Sequence, residues 1–88
     1  MIIKEYEWEE GTLGGNFLYY NTETGEIIGE VSRVGMQGSR SSASSYCNRK
    51  VTVYLGNYIN SDYARRAVEN YTHQQSGIYI EYDTQKAE

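Results

Sequence analysis

Eighty-eight residues, 39% of them hydrophobic, restrict this chain to one domain with no room for a second core. A net charge of −4 excludes broad affinity for nucleic acid or anionic lipid, both of which need a cationic surface. One cysteine, Cys47, excludes an internal disulfide and fits a reducing, cytoplasmic setting, and no apolar run approaches the ~18 residues of a membrane span.

Taken in chain order, the start turns acidic at once and does not read as a signal peptide. Ile2, Lys4, Tyr6 and Trp8 alternate with Ile3, Glu5, Glu7 and Glu9, a period of two that predicts a strand with an aromatic face and an acidic face. Residues 11–15 read as a turn. Two β-rich runs, 16–21 and 26–34, flank a polar loop with Gly25 and predict a hairpin. Gly29 inside the second run marks a bulge or a close backbone approach. A Gly/Ser band follows, and residues 42–48 within it read as a further edge strand closed by a turn at Asn48 and Arg49. Residues 51–55 are the clearest strand, with Val51, Val53 and Leu55 facing the core and Thr52 and Tyr54 facing away. Ser61 and Asp62 predict a helix start. Ala64, Ala67, Val68 and Tyr71 form one apolar stripe, with Arg65, Arg66, Glu69 and Asn70 facing away. Gly77 stops the helix, residues 78–82 read as a last strand, and the chain frays from Thr84. Together these elements predict an α+β domain over residues 1–83, an antiparallel sheet of three to five strands with one helix packed on one face.

Charge is segregated along the chain. Residues 1–30 carry seven glutamates against Lys4, whereas residues 31–61 contain no acid and carry Arg33, Arg40, Arg49 and Lys50. Two readings of the segment 33–50 stand side by side. It is a flexible hairpin loop with solvated cations, or it cradles a phosphate or nucleotide through backbone amides, hydroxyls and arginines. It lacks the ordered spacing of a phosphate loop. Glu5, Glu7, Glu9 and Glu10 could bind a cation, but strand alternation spreads them along a solvated face; alternatively they imitate nucleic-acid phosphates. No pairing of acid and base points to catalysis. His73 and Cys47 are the sole members of their types, too few for a zinc site, and no cofactor is expected. The ten tyrosines are the stronger signal. Tyr54, Tyr58, Tyr63 and Tyr79 cannot all be buried in so small a body, and Tyr with Arg is the usual composition of interface anchors.

Residues 54–68, in which a strand ends in Leu55-Gly56, an aromatic follows at Tyr58 and Ser61 opens a helix reading Ala64-x-x-Ala67, resemble the strand-to-helix joint of plant ethylene-response-type DNA-binding domains. With the hairpin at 24–31 they are also similar to small accessory proteins of tailed bacteriophages. The resemblance spans residues 17–71. The plant-type likeness implies a sheet whose free face reads DNA through arginines and tryptophans. That face would here carry Glu26 and Glu30 beside Arg33 and Arg40, acids that repel phosphate. The phage likeness implies a non-enzymatic inhibitor of a host protein or complex, acting by occupancy within the infected bacterium. The expected contact residues are Arg33, Arg40, Tyr46, Arg49, Lys50, Tyr54, Tyr58 and Tyr63, with the Glu5, Glu7, Glu9 face steering the approach to a basic partner. The alternative is a nucleotide- or nucleic-acid-binding domain using the basic segment. A homo-oligomer is a further way for so short a chain to gain a shared core.

Overall fold

The computed structural model describes residues 6–12, 14, 16–34, 40–47 and 51–87, with the side chains of Val34, Arg40, Tyr46, Cys47 and Val51 outside that set. Five antiparallel strands follow one another in chain order, β1 (Tyr6–Glu10), β2 (Phe17–Asn21), β3 (Ile27–Val34), β4 (Arg40–Cys47) and β5 (Val51–Tyr58). One helix, α1 (Ser61–Gln75), lies across β4 with β3 and β5 on either side. This is the predicted α+β architecture at the upper end of its strand count.

Small side chains set the distance between the layers. On β4, Ser41, Ala43 and Ser45 are buried under the helix, and on α1 the matching residues are Ala64, Ala67 and Val68. Gly29 allows the closest approach, since a Cβ there would stand 2.5 Å from Val68 Cγ1. The core comprises these residues with Tyr19, Val31 and Tyr58. Beyond the helix footprint, Tyr6, Trp8, Phe17 and Tyr19 pack against one another on β1 and β2. Trp8 stacks on Tyr19 at 4.4 Å and meets Phe17 edge-on at 6.4 Å.

Two bulges decide which side chains face where. Tyr19 pairs with Gly29 but Tyr20 pairs with Ile27, so Ile28 is an extra residue in β3. Ala43 pairs with Gly56 but Ser44 pairs with Tyr54, so Leu55 is an extra residue in β5. Each bulge breaks the period of two. Ile28 and Leu55 therefore pack against the core beside their neighbours. Tyr54 and Tyr58, four residues apart, fall on opposite faces.

Local chemistry explains the turns and ends. In the β2–β3 loop the buried Asn21 accepts from the amides of Glu23 and Thr24 through Oδ1, at 2.8 and 3.3 Å, and Gly25 takes a φ of 73°. The helix cap is Asn60, one residue before the predicted Ser61. Its backbone is extended and its Oδ1 accepts from the Tyr63 amide at 3.0 Å. Gly77 ends the helix as predicted, with a φ of 74°. The Gly77 amide donates to Gln74 O and the Ile78 amide to His73 O, the paired bonds of a Schellman motif.

Three expectations are corrected. Residues 78–82 form no strand, because the chain reverses after Gly77 and runs back along the helix. There Asn70 supplies both bonds a neighbouring strand would offer Tyr82, accepting from its amide at 2.7 Å and donating to its carbonyl at 2.8 Å. The segment expected to fray instead meets the end of β5. Ile59 N donates to Gln85 O at 3.1 Å, Ala87 N donates to Asn57 O at 2.9 Å, and Tyr58 bridges Lys86. Lastly, Arg65 and Glu69 do not simply face solvent. The Arg65 guanidinium covers the Phe17 ring at 4.4 Å while paired with Asp62, and Glu69 accepts from Trp8 Nε1 at 2.7 Å. The helix is narrower than the sheet, so these long side chains roof the β1–β2 aromatics.

Candidate functional site

Among the described residues, the helix covers one face of the sheet and leaves the other open. Strand alternation puts Tyr6 and Trp8 on the helix side and Glu7 and Glu9 on the open side, as the sequence predicts. The register then aligns one continuous row across all five strands, Glu9, Leu18, Glu30, Ser44 and Tyr54. A second row runs Glu7, Tyr20 and Ile27, and Ser32, Ser42 and Asn57 form a third. Leu18, Ile27 and Tyr54 are exposed, Tyr54 at 61%. An open depression of about 430 Å³ lies along Trp8, Glu9, Leu18, Tyr20, Gly25 and Ile27.

Two hydroxyls are held in place on this face. Tyr20 donates to Glu7 Oε2 at 3.2 Å, and that bond, which favours the protonated phenol, raises its pKa above the ordinary tyrosine value. Tyr54 donates to Asn57 Oδ1 at 2.5 Å. Held tyrosines bring contact area with little side-chain entropy left to lose on binding. Among the described side chains the face carries three carboxylates, Glu7, Glu9 and Glu30, and no cation.

The expected contact residues do not gather into one site. Tyr54, Glu7 and Glu9 stand on the open face. Arg33 is exposed at the end of β3 opposite the buried Ser41, which puts it on the helix side, away from Glu30. Glu26 belongs to the hairpin loop and is half-buried. Tyr58 is a core residue, 4% exposed, whose hydroxyl donates to Leu55 O at 3.3 Å. Burial raises its pKa, and the neighbouring Tyr54 adds to the shift. Tyr63 is half-buried at the helix start with Arg66 over its ring at 5.3 Å. Tyr79 is fully exposed on the returning tail. The backbone of Arg40 pairs with that of Val34, and the backbone of Tyr46 with that of Thr52; the Arg40 and Tyr46 side chains lie outside the described set. Glu5, Arg49 and Lys50 lie outside the described residues, as does the centre of the Gly/Ser band at 35–39.

Leu18, Tyr20 and Ile27 are the face residues that sequence reasoning did not single out. The alternation of Phe17 and Tyr19 with Leu18 and Tyr20 carried the signal for two of them, and the bulge at Ile28 concealed the third. On the other side of the molecule a depression of about 510 Å³ is lined by Asp62, Arg65, Arg66, Glu69, Tyr82 and Asp83. Its cations are already engaged, Arg65 with Asp62 and Phe17 and Arg66 with Tyr63. Among the described residues no group of three His, Cys, Asp or Glu side chains is arranged to hold a metal ion, and no helix is long and apolar enough to cross a membrane. No protein family, curated protein or solved structure matches this chain.

Proposed function

We propose that this protein is a binding module that acts by occupancy, laying the open face of its sheet on a basic surface of a macromolecular partner. The observation that carries this reading is the row Glu9, Leu18, Glu30, Ser44 and Tyr54, which crosses all five strands with apolar and aromatic groups set among carboxylates. Tyr54, Tyr20, Leu18 and Ile27 supply contact area, and Glu7, Glu9 and Glu30 supply steering toward positive charge. The resemblance of residues 17–71 to tailed-phage accessory proteins supports a host protein or complex as the partner, blocked in a defence or takeover role without chemistry.

Capture from host lysate with the intact protein and with Tyr54→Ala and Glu30→Lys variants tests this. Folded Tyr54→Ala should lose roughly tenfold or more in affinity for the captured protein, the loss typical of an interface anchor. Glu30→Lys should slow association and flatten its salt dependence. Equal capture by all three proteins would overturn the open face as the contact surface. Nucleic acid bound at low salt and lost in Arg40→Ala would replace this reading with the basic segment.

A further inference from the structure

β1 is an outer strand of the sheet, paired with β2 on one side. In an antiparallel pair, residues that exchange backbone hydrogen bonds with the neighbour alternate with residues that do not. The Gly11 amide donates to Asn16 O at 2.7 Å, one residue beyond β1, and this fixes the phase. In the same register Glu9 with Leu18 and Glu7 with Tyr20 are the pairs that exchange bonds. Tyr6, Trp8 and Glu10 therefore turn their amides and carbonyls away from β2. The Asn21 amide agrees with this phase, since it donates to Glu26 O at 2.9 Å and so points away from its partner Tyr6. Among the described residues nothing pairs with the outer side of β1.

This edge is already ordered. Tyr6 and Trp8 pack on the Tyr19 ring at 5.5 and 4.4 Å, and Trp8 Nε1 donates to Glu69 Oε1 at 2.7 Å. On the open side Glu7 accepts from the Tyr20 hydroxyl. A strand added here meets a template that loses little freedom on pairing. The edge also carries charge of one sign. Glu7, Glu9 and Glu10 are exposed. Arg65, whose guanidinium lies over Phe17 beside Glu10, is engaged by Asp62. Opposite charges set across a strand pair attract, and like charges repel.

We propose that β1 accepts an extended segment of a partner protein as an additional strand. The segment it fits has Lys or Arg at alternate positions, to meet Glu7 and Glu9, with apolar residues between them to lie beside Tyr6 and Trp8. Backbone bonds to Tyr6, Trp8 and Glu10 supply the pairing, and the carboxylates select for positive charge. Tyr54 stands on β5, at the far edge of the sheet, so this contact goes beyond the open face as a docking surface and does not depend on it.

Two capped peptides of alternating sequence, Lys-Val and Glu-Val, titrated into the full-length protein at low salt and followed by amide NMR and hydrogen exchange, test this. The Lys-Val peptide should bind saturably and slow exchange at Tyr6, Trp8 and Glu10. The Glu-Val peptide should bind about tenfold more weakly. N-methylation of the Val amides or of the Lys amides keeps the peptide's charge; one of the two sets should abolish binding and the other leave it. Glu7→Lys combined with Glu9→Lys should reverse the preference between the peptides. Absence of saturable binding, equal affinity for the two peptides, binding that survives both methylations, an unreversed preference, or exchange slowed at β5 in place of β1 would each overturn the inference. The readout at β1 does not involve Tyr54, so failure here and failure of the open face as the contact surface are told apart.

Discussion

Tyr19 shows how one side chain records its surroundings. It lies under the Trp8 ring at the margin of the helix, and burial, the Glu69 carboxylate and the neighbouring Tyr6 and Tyr82 push its pKa up to about 12. The folded state therefore favours the protonated phenol. That contribution is complete below the unfolded value near 10 and is lost as pH rises through about 12. Urea unfolding between pH 9 and 12 should show the wild-type protein losing up to ~3 kcal/mol more than Tyr19→Phe. Parallel pH profiles for the two proteins would show that Tyr19 is not the titrating group. At this scale the sequence was legible in part. The alternation of aromatic and acidic residues in β1 placed Tyr6, Trp8, Glu7 and Glu9 correctly, because nothing interrupts the pleat there. The surplus tyrosines were not separable, because Tyr54 and Tyr58 share a parity that the bulge at Leu55 reverses.

Among the elements, the bulges and the helix joint carry most of the specification. Glycine was the sequence signal for both bulges. Gly29 was recognisable inside a β-rich run, but Gly56, with a φ of 131°, was absorbed into the strand-to-helix joint. The helix stripe was legible from its period. Its flanks were not, since the roles of Arg65, Glu69 and Asn70 depend on partners 12 to 61 residues away or on another strand's aromatic ring. Gly29 also supplies a direct test of the packing between layers. A Cβ added there would lie 2.5 Å from Val68 Cγ1 and 3.3 Å from Ser44 O, so Gly29→Ala should cost about 1–3 kcal/mol in urea unfolding. Much of that cost should vanish when the substitution is made in a Val68→Ala background. An equal cost in both backgrounds would place the strain elsewhere.

Over the whole molecule, the tail joins regions that the sheet alone leaves apart. From Gly77 it runs back along the helix to Asn70 and then meets the end of β5, linking the middle of α1 to the sheet. Asn70→Ala removes both bonds to Tyr82 and should speed amide exchange at Tyr82 and Ala87 by about tenfold, leaving Val31 and Ala43 in the core unchanged. Unchanged exchange at Tyr82 would mean that Asn70 does not hold the tail. The strand pattern at 78–82 does not announce this course, because the Asn70 side-chain amide and a single bridge maintain it.

An open sheet has two rims at which a stray strand can add and begin aggregation. Here the C-terminal end of the β5 rim is occupied by the pairing of Tyr58 with Lys86 and by the bonds of Ala87 to Asn57 and of Ile59 to Gln85. The opposite rim, β1, bears Glu7, Glu9 and Glu10, so a second copy arriving there meets like charge. The same returning tail that braces the helix thus also blocks the last residues of the β5 edge to an incoming strand, and the acidic rim guards the other edge.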